Sequence, residues 1–191
     1  MPNDTKVLLE KSLKKLLLEK PIDKIRINDL ASDCGISRMA FYYHFKDIYD
    51  LIEWCCEEDG RTALQNKKTY DTWQEGLLQI FEAVLENKPF IMNVYHSVSR
   101  DKIERFLFQL TYELIWGVVK EKSRGVDIRE EDKSFIAEFY KYSFVGIMLE
   151  WINGGMKDDP VMLVDKISMT VHGNVANSVK NFQKLDNQAI L

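Results

Sequence analysis

Eleven residues, "GISRMAFYYHF" from Gly35 to Phe45, hold most of the side chains that could do chemistry at the front of this chain. The Arg38 guanidinium is a planar fork of donors that matches guanine O6 and N7, worth about 1–3 kcal/mol of base discrimination when both bonds form. The hydroxyls of Tyr42 and Tyr43 can donate to phosphate oxygens while their rings lie against sugars. Ser37, Met39, His44 and Lys46 lie within or beside the same stretch, and Arg26 precedes it. This set suits gripping a nucleic-acid backbone and reading base edges. It does not suit bond breaking, because no Ser-His-Asp candidate stands out.

A single short helix must position them. Phe41 and Phe45 are four apart and share one face, which predicts that they pack inward. Arg38, Met39, Tyr42 and Tyr43 then point outward, with His44 beside them. Ser37 is a good N-cap for a helix over about 38–44. Gly35 can adopt the positive φ of a sharp turn, and Ala31 is small enough for a second short helix, around Ile27 to Ala31, to cross closely. Before it, Leu9, Leu13, Leu16 and Leu17 repeat at helical spacing, and this first helix ends before Pro21. Asp47 caps a fourth helix carrying Ile48, Leu51, Ile52 and Cys55 on one side. Two short helices joined by a glycine turn and braced by an earlier one make a helix-turn-helix.

The stretch "INDLASDCGISRMAFYYHFKDIYDL", Ile27 to Leu51, resembles the DNA-binding region of the TetR (tetracycline-repressor) family of transcriptional regulators. Ile27, Asp29, Leu30, Ala31, Gly35, Ile36, Ser37, Phe41, Tyr42, His44, Phe45 and Leu51 fall where that family's pattern has them. The resemblance implies backbone contacts from Tyr42 and His44, and places Arg38, Met39 and Tyr43 near base edges. Two positions depart from the pattern. Ala40 stands where the family often has a phosphate-binding Thr, and Ile48 where it often has a Lys. Lys14, Lys15, Lys24 and Arg26 are the basic side chains that offer compensation.

Further along, Trp73–Glu86, Lys102–Lys122, Glu131–Trp151 and Pro160–Phe182 show helical patterning, with Asn87-Lys88-Pro89 read as a stop. Phe135, Phe139, Tyr142, Gly146 and Leu149 mark one side of the third of these. Ile136, Tyr140, Ile147 and Trp151 spread around it, which predicts burial on more than one side. Leu163, Ile167, Val171 and Val175 complete the natural interface, since reading two half-sites calls for a homodimer. By resemblance, two helices from each copy form a four-helix bundle, with His172 at its seam. "FVGIMLEWINGGMKDDP" also resembles the subgroup of dihydroxyacetone-kinase operon regulators, some of which act with a protein partner. Tyr95, His96, Phe108, Tyr112, Trp116 and Phe139 are the candidate effector-binding residues, although aromatic residues at helical spacing serve a core equally well.

The expected architecture is all-α. Residues 1–47 form a helix-turn-helix DNA-binding domain, and residues 48–191 a larger C-terminal helical ligand and dimerisation domain. The first 50 residues hold nine Lys/Arg against eight Asp/Glu, and the remainder 17 against 22. That distribution permits DNA binding at the N-terminal end. Cys34, Cys55 and Cys56 form no CxxC pair and read as reduced thiols. No run of 18 apolar residues occurs, so neither membrane partner nor span is expected, and the location implied is cytoplasmic. Three scattered histidines and no phosphate loop argue against an enzyme, a metal or a cofactor. The expected function is a DNA-binding regulator, a repressor by family habit, that binds a palindromic operator as a dimer. A ligand or protein partner is expected to modulate it by changing the angle of the fourth helix. The alternative is a helical interaction protein or co-regulator that has kept the fold but lost strong DNA binding.

Overall fold

A computed structural model describes residues 2–63, 73–97 and 100–189. Among the described residues there are ten α-helices, one 3-10 turn at Ile22–Lys24 and no strand. The helices are α1 (Pro2–Leu16), α2 (Ile27–Asp33), α3 (Arg38–His44), α4 (Ile48–Ala63), α5 (Trp73–Glu86), α6 (Lys88–Tyr95), α7 (Arg100–Lys122), α8 (Glu130–Asn153), α9 (Pro160–Val171) and α10 (Asn174–Ala189). No described helix is long and apolar enough to cross a membrane.

The chain forms two compact units, Met1–Asp59 with Glu86–Phe106, and Gly60–Leu85 with Leu107–Leu191. In the first, Leu9, Leu13 and Leu17 recur every four residues and are buried together with Ile22, Ile25, Leu30 and Phe41. The first unit therefore runs past residue 47. The reason is the inner face of α4, where Leu51, Ile52, Cys55 and Cys56 are all buried. α6 joins this unit through Asn93, whose amide donates to the Leu17 carbonyl at 3.1 Å. Lys14 bridges α1 to α4, with Nζ 2.8 Å from Asp59 and 2.7 Å from Glu10. Burial opposes its charge, but these two carboxylates more than offset that and raise its pKa.

The second unit stacks rings across helices: Trp73 against Phe144, and Phe81 against Trp151, with centroids 5.7 and 5.1 Å apart. The Trp151 indole N–H donates to the Asp158 carbonyl at 2.9 Å, tying the loop before α9 to α8. Two elements differ from the sequence expectation. α5 stops at Glu86 as expected, but Asn87-Lys88-Pro89 also opens an unexpected helix, α6, because proline in a first helical turn lacks only an N–H that would have no helical partner there. The single helix expected over Pro160–Phe182 is two, since Gly173 takes φ +73° and separates α9 from α10.

Candidate nucleic-acid interface

The turn before α3 is a glycine C-cap of α2. Gly35 sits at φ +66°. The Ile36 N–H reaches the Ala31 carbonyl at 2.9 Å, and that of Gly35 reaches Ser32 at 3.2 Å. This paired pattern closes the end of α2 and turns the chain sharply. Ser37 then caps α3, its hydroxyl oxygen accepting from the Ala40 N–H at 3.1 Å. Such a cap is worth about 1 kcal/mol.

From that start α3 divides its aromatic residues as the spacing predicts. Phe41 and Phe45 are buried, and the Phe45 ring lies 5.9 Å from that of Trp54 on α4. Lys6 of α1 covers both rings, with Nζ 5.3 Å from the Phe45 centroid and 5.6 Å from that of Trp54. On the opposite face Met39 is 76%, Tyr43 81% and Tyr42 44% exposed. Arg38 is exposed beside them. Its Nη2 donates to the Tyr42 hydroxyl at 3.4 Å, and the guanidinium lies 5.9 Å from that ring. His44 is half-buried with its ring edge-on to Tyr43, centroids 5.0 Å apart. Lys46 and Arg26 are exposed, and both have their backbone N–H groups pinned, to Asp50 at 2.8 Å and to Asp29 at 3.0 Å. The candidate DNA-contacting side chains thus occupy α3 and its two flanks, anchored from behind by two buried phenylalanines.

Much of the compensating basic set is already engaged. Lys14 is held by Asp59 and Glu10, and Lys15 lies 2.5 Å from Asp33. Lys20 similarly holds Asp29 at 2.6 Å. These ammonium groups hold the carboxyls of Asp33 and Asp29 below the usual range. Lys15 therefore fastens α2 to α1, and Lys20 fastens it to the turn that follows α1. Lys24, whose Nζ is 3.9 Å from Asp23, and Arg26 remain the more open cations. The Glu10–Lys14 spacing was readable as a helical i,i+4 pair, but Asp59, 45 residues away, gave no sequence signal.

Two family models match the chain. "Bacterial regulatory proteins, tetR family" covers residues 11–55, and "Transcriptional regulator C-terminal region" covers residues 71–173, more than half of the chain. The chain belongs to the TetR family. It is accordingly a DNA-binding transcriptional regulator with a C-terminal regulatory region, and its relatives are regulators rather than enzymes. Among TetR relatives it is similar to the HTH-type dhaKLM operon transcriptional activator DhaS of Lactococcus lactis subsp. lactis (strain IL1403). The two are 25% identical over 153 residues, 79% of this chain and 81% of that one. The uncharacterized HTH-type transcriptional regulator YerO of Bacillus subtilis (strain 168) is 22% identical, over 90% of this chain and 66% of that one. In fold, the chain matches the solved dihydroxyacetone kinase operon activator DhaS with a TM-score of 0.70 at 23% identity, covering 93% and 97% of the two chains. NalD, the secondary repressor of the MexAB-OprM efflux pump in Pseudomonas aeruginosa, matches with a TM-score of 0.58 at 14% identity, covering 88% and 93%.

The candidate effector residues of this TetR protein are distributed over both units. In the first, Tyr95 is buried and the Arg100 guanidinium lies 4.4 Å above its ring. His96 is exposed and lines a cleft of about 540 Å³ with Ile22, Tyr49, Met92 and Asn93. In the second, Phe108, Tyr112 and Trp116 follow one another along α7, half-buried, with Tyr112 and Trp116 stacked at 5.9 Å. Lys141, buried and paired with Glu138, lies 5.6 Å from the Phe108 and Tyr112 rings. It also lies 4.4 Å from the Tyr142 ring, so a cation that carries its own carboxylate rests against all three rings. Phe139 is exposed and lines a separate groove of about 490 Å³ with Phe144, Ile147, Leu163 and Ile167.

Proposed function

We propose that this regulator binds a palindromic operator as a homodimer, with residues 1–47 reading DNA and residues 48–191 pairing the copies and sensing an effector. Arg38, Met39 and Tyr43 meet base edges, while Ser37, Tyr42, His44, Lys46 and Arg26 grip the backbone. The observation that carries this reading is the split character of α3: one face buries Phe41 and Phe45, and the other leaves two tyrosines, a methionine and an arginine in water. Exposed large side chains gathered on one short helix mark a contact surface. A small molecule or protein partner acting on the C-terminal part tilts α4, respaces the two heads, and so changes how well both half-sites are met at once.

In this reading the protein is a cytoplasmic repressor. A second reading, activation, is favoured by the similarity to DhaS, which is named an activator. Purified protein is to be footprinted on the DNA flanking its own coding region while salt is varied. The expected result is a two-fold symmetric protected site, with log affinity falling against log salt at a slope of about −0.9 per phosphate neutralised. Absence of protection at low salt would instead favour the interaction protein that has kept the fold. In vitro transcription from the same fragment assigns the sign.

A further inference from the structure

We propose that Gly146 is the point where α8 crosses α8 of a second copy, on the two-fold axis of the dimer; this rests on the homodimer reading above. Gly146 lies well inside a 24-residue helix, where glycine is weaker than alanine. Nothing among the described residues of its own chain requires it. Its φ is not positive, and a Cβ built there meets no atom within 4 Å. What remains is a demand from outside the chain for close backbone approach.

The residues around it describe the shape of that approach. Phe135, Phe139, Tyr142, Gly146, Leu149 and Asn153 follow one another at spacings of four, three, four, three and four, the seam that one helix presents to another. The buried face, with Tyr140, Phe144, Met148 and Trp151, lies on the other side. On the seam, Phe139 and Tyr142 are 60% and 59% exposed. An isologous interface places each axial residue against its own equivalent, so two helix backbones meet most closely where that residue has no side chain. The flanks are matched in the same sense. Tyr142 stands one turn before Gly146 and Glu150 one turn after, and both are exposed. An antiparallel crossing at Gly146 therefore sets each Tyr142 hydroxyl against Glu150 of the partner subunit. A second copy supplies this complementarity from one and the same helix.

The full-length chain is to be studied by sedimentation at about 1–100 µM, because dimer population depends on concentration. Gly146→Leu adds its Cβ at an exposed site where that atom meets no described neighbour, so its helical circular dichroism should match wild type while its dimer dissociation constant rises about 100-fold or more. Gly146→Cys is the second variant. A thiol on the axis faces its twin, so mild oxidation should link the two chains about tenfold faster than in wild type or Phe139→Cys. A Gly146→Leu protein that dimerises like wild type, or a Gly146→Cys protein that links no faster than the controls, overturns the crossing point and leaves the homodimer standing. A wild type that is monomeric throughout overturns the homodimer reading itself.

Discussion

Arg38 and Tyr42 are one helical turn apart on α3, and the guanidinium already leans on the phenol in the unbound protein. Their roles at DNA are expected to separate. Arg38→Ala should lower operator affinity by about 1–3 kcal/mol and relax discrimination at one base step. Tyr42→Ala should weaken all sequences alike and leave the salt slope unchanged, because a neutral hydroxyl releases no counterion when it meets a phosphate. Both side chains are exposed, so neither change should move the thermal midpoint appreciably. Phe41→Ala gives the contrast, since emptying a fully buried ring site costs about 3–5 kcal/mol of stability. Fluorescence anisotropy on an operator duplex, paired with thermal melts, distinguishes the three. Equal DNA affinity for wild type and both exposed-face variants would remove α3 as the reader.

At the scale of elements, the angle between α2 and α3 depends on one backbone conformation. Gly35 holds φ +66°, and an added Cβ would meet no atom within 4 Å, so the penalty for a side chain is backbone strain alone. Gly35→Ala is therefore expected to cost about 1–2 kcal/mol in urea unfolding. It should also weaken DNA binding by re-aiming α3. An unchanged unfolding midpoint would contradict this. Gly35 was legible because its turn lies between two strongly patterned helices. Gly173 was not, because apolar spacing continues on both sides of it, through Ile167 and Val175, as though one helix ran on. α6 was overlooked for a related reason. Pro89 suits both a helix that ends before it and one that starts around it, and here both occur, α5 ending at Glu86 and α6 opening at Lys88.

At the scale of the whole molecule, the first 50 residues carry a balance of only about +1, too little for affinity to rest on field strength alone. Several lysines near the reading helices are committed to ion pairs within the chain, which leaves geometry to supply what charge does not. Two heads held at fixed spacing would do so, since the second contact is then made at high effective concentration. Inserting about 5 base pairs between the half-sites should abolish cooperative binding, and inserting about 10 should restore part of it, because the second site returns to the same face of the duplex. A gel-shift series measures this directly. Indifference to spacing would mean that each copy binds alone.

By itself the sequence determined the all-α class, the helix-turn-helix and the split of α3 into anchoring and reading faces. All three are set by interactions within a few residues, such as the cap at Ser37, the turn at Gly35 and the four-residue interval between Phe41 and Phe45. Only the tertiary structure decided which lysines are already neutralised, that Lys141 lies against the rings of Phe108, Tyr112 and Tyr142, and that Phe139, Tyr142 and Gly146 of α8 stay exposed. Those outcomes depend on partners tens of residues away. Spacing along a chain reveals which side chains share a face, and folding alone reveals what that face meets.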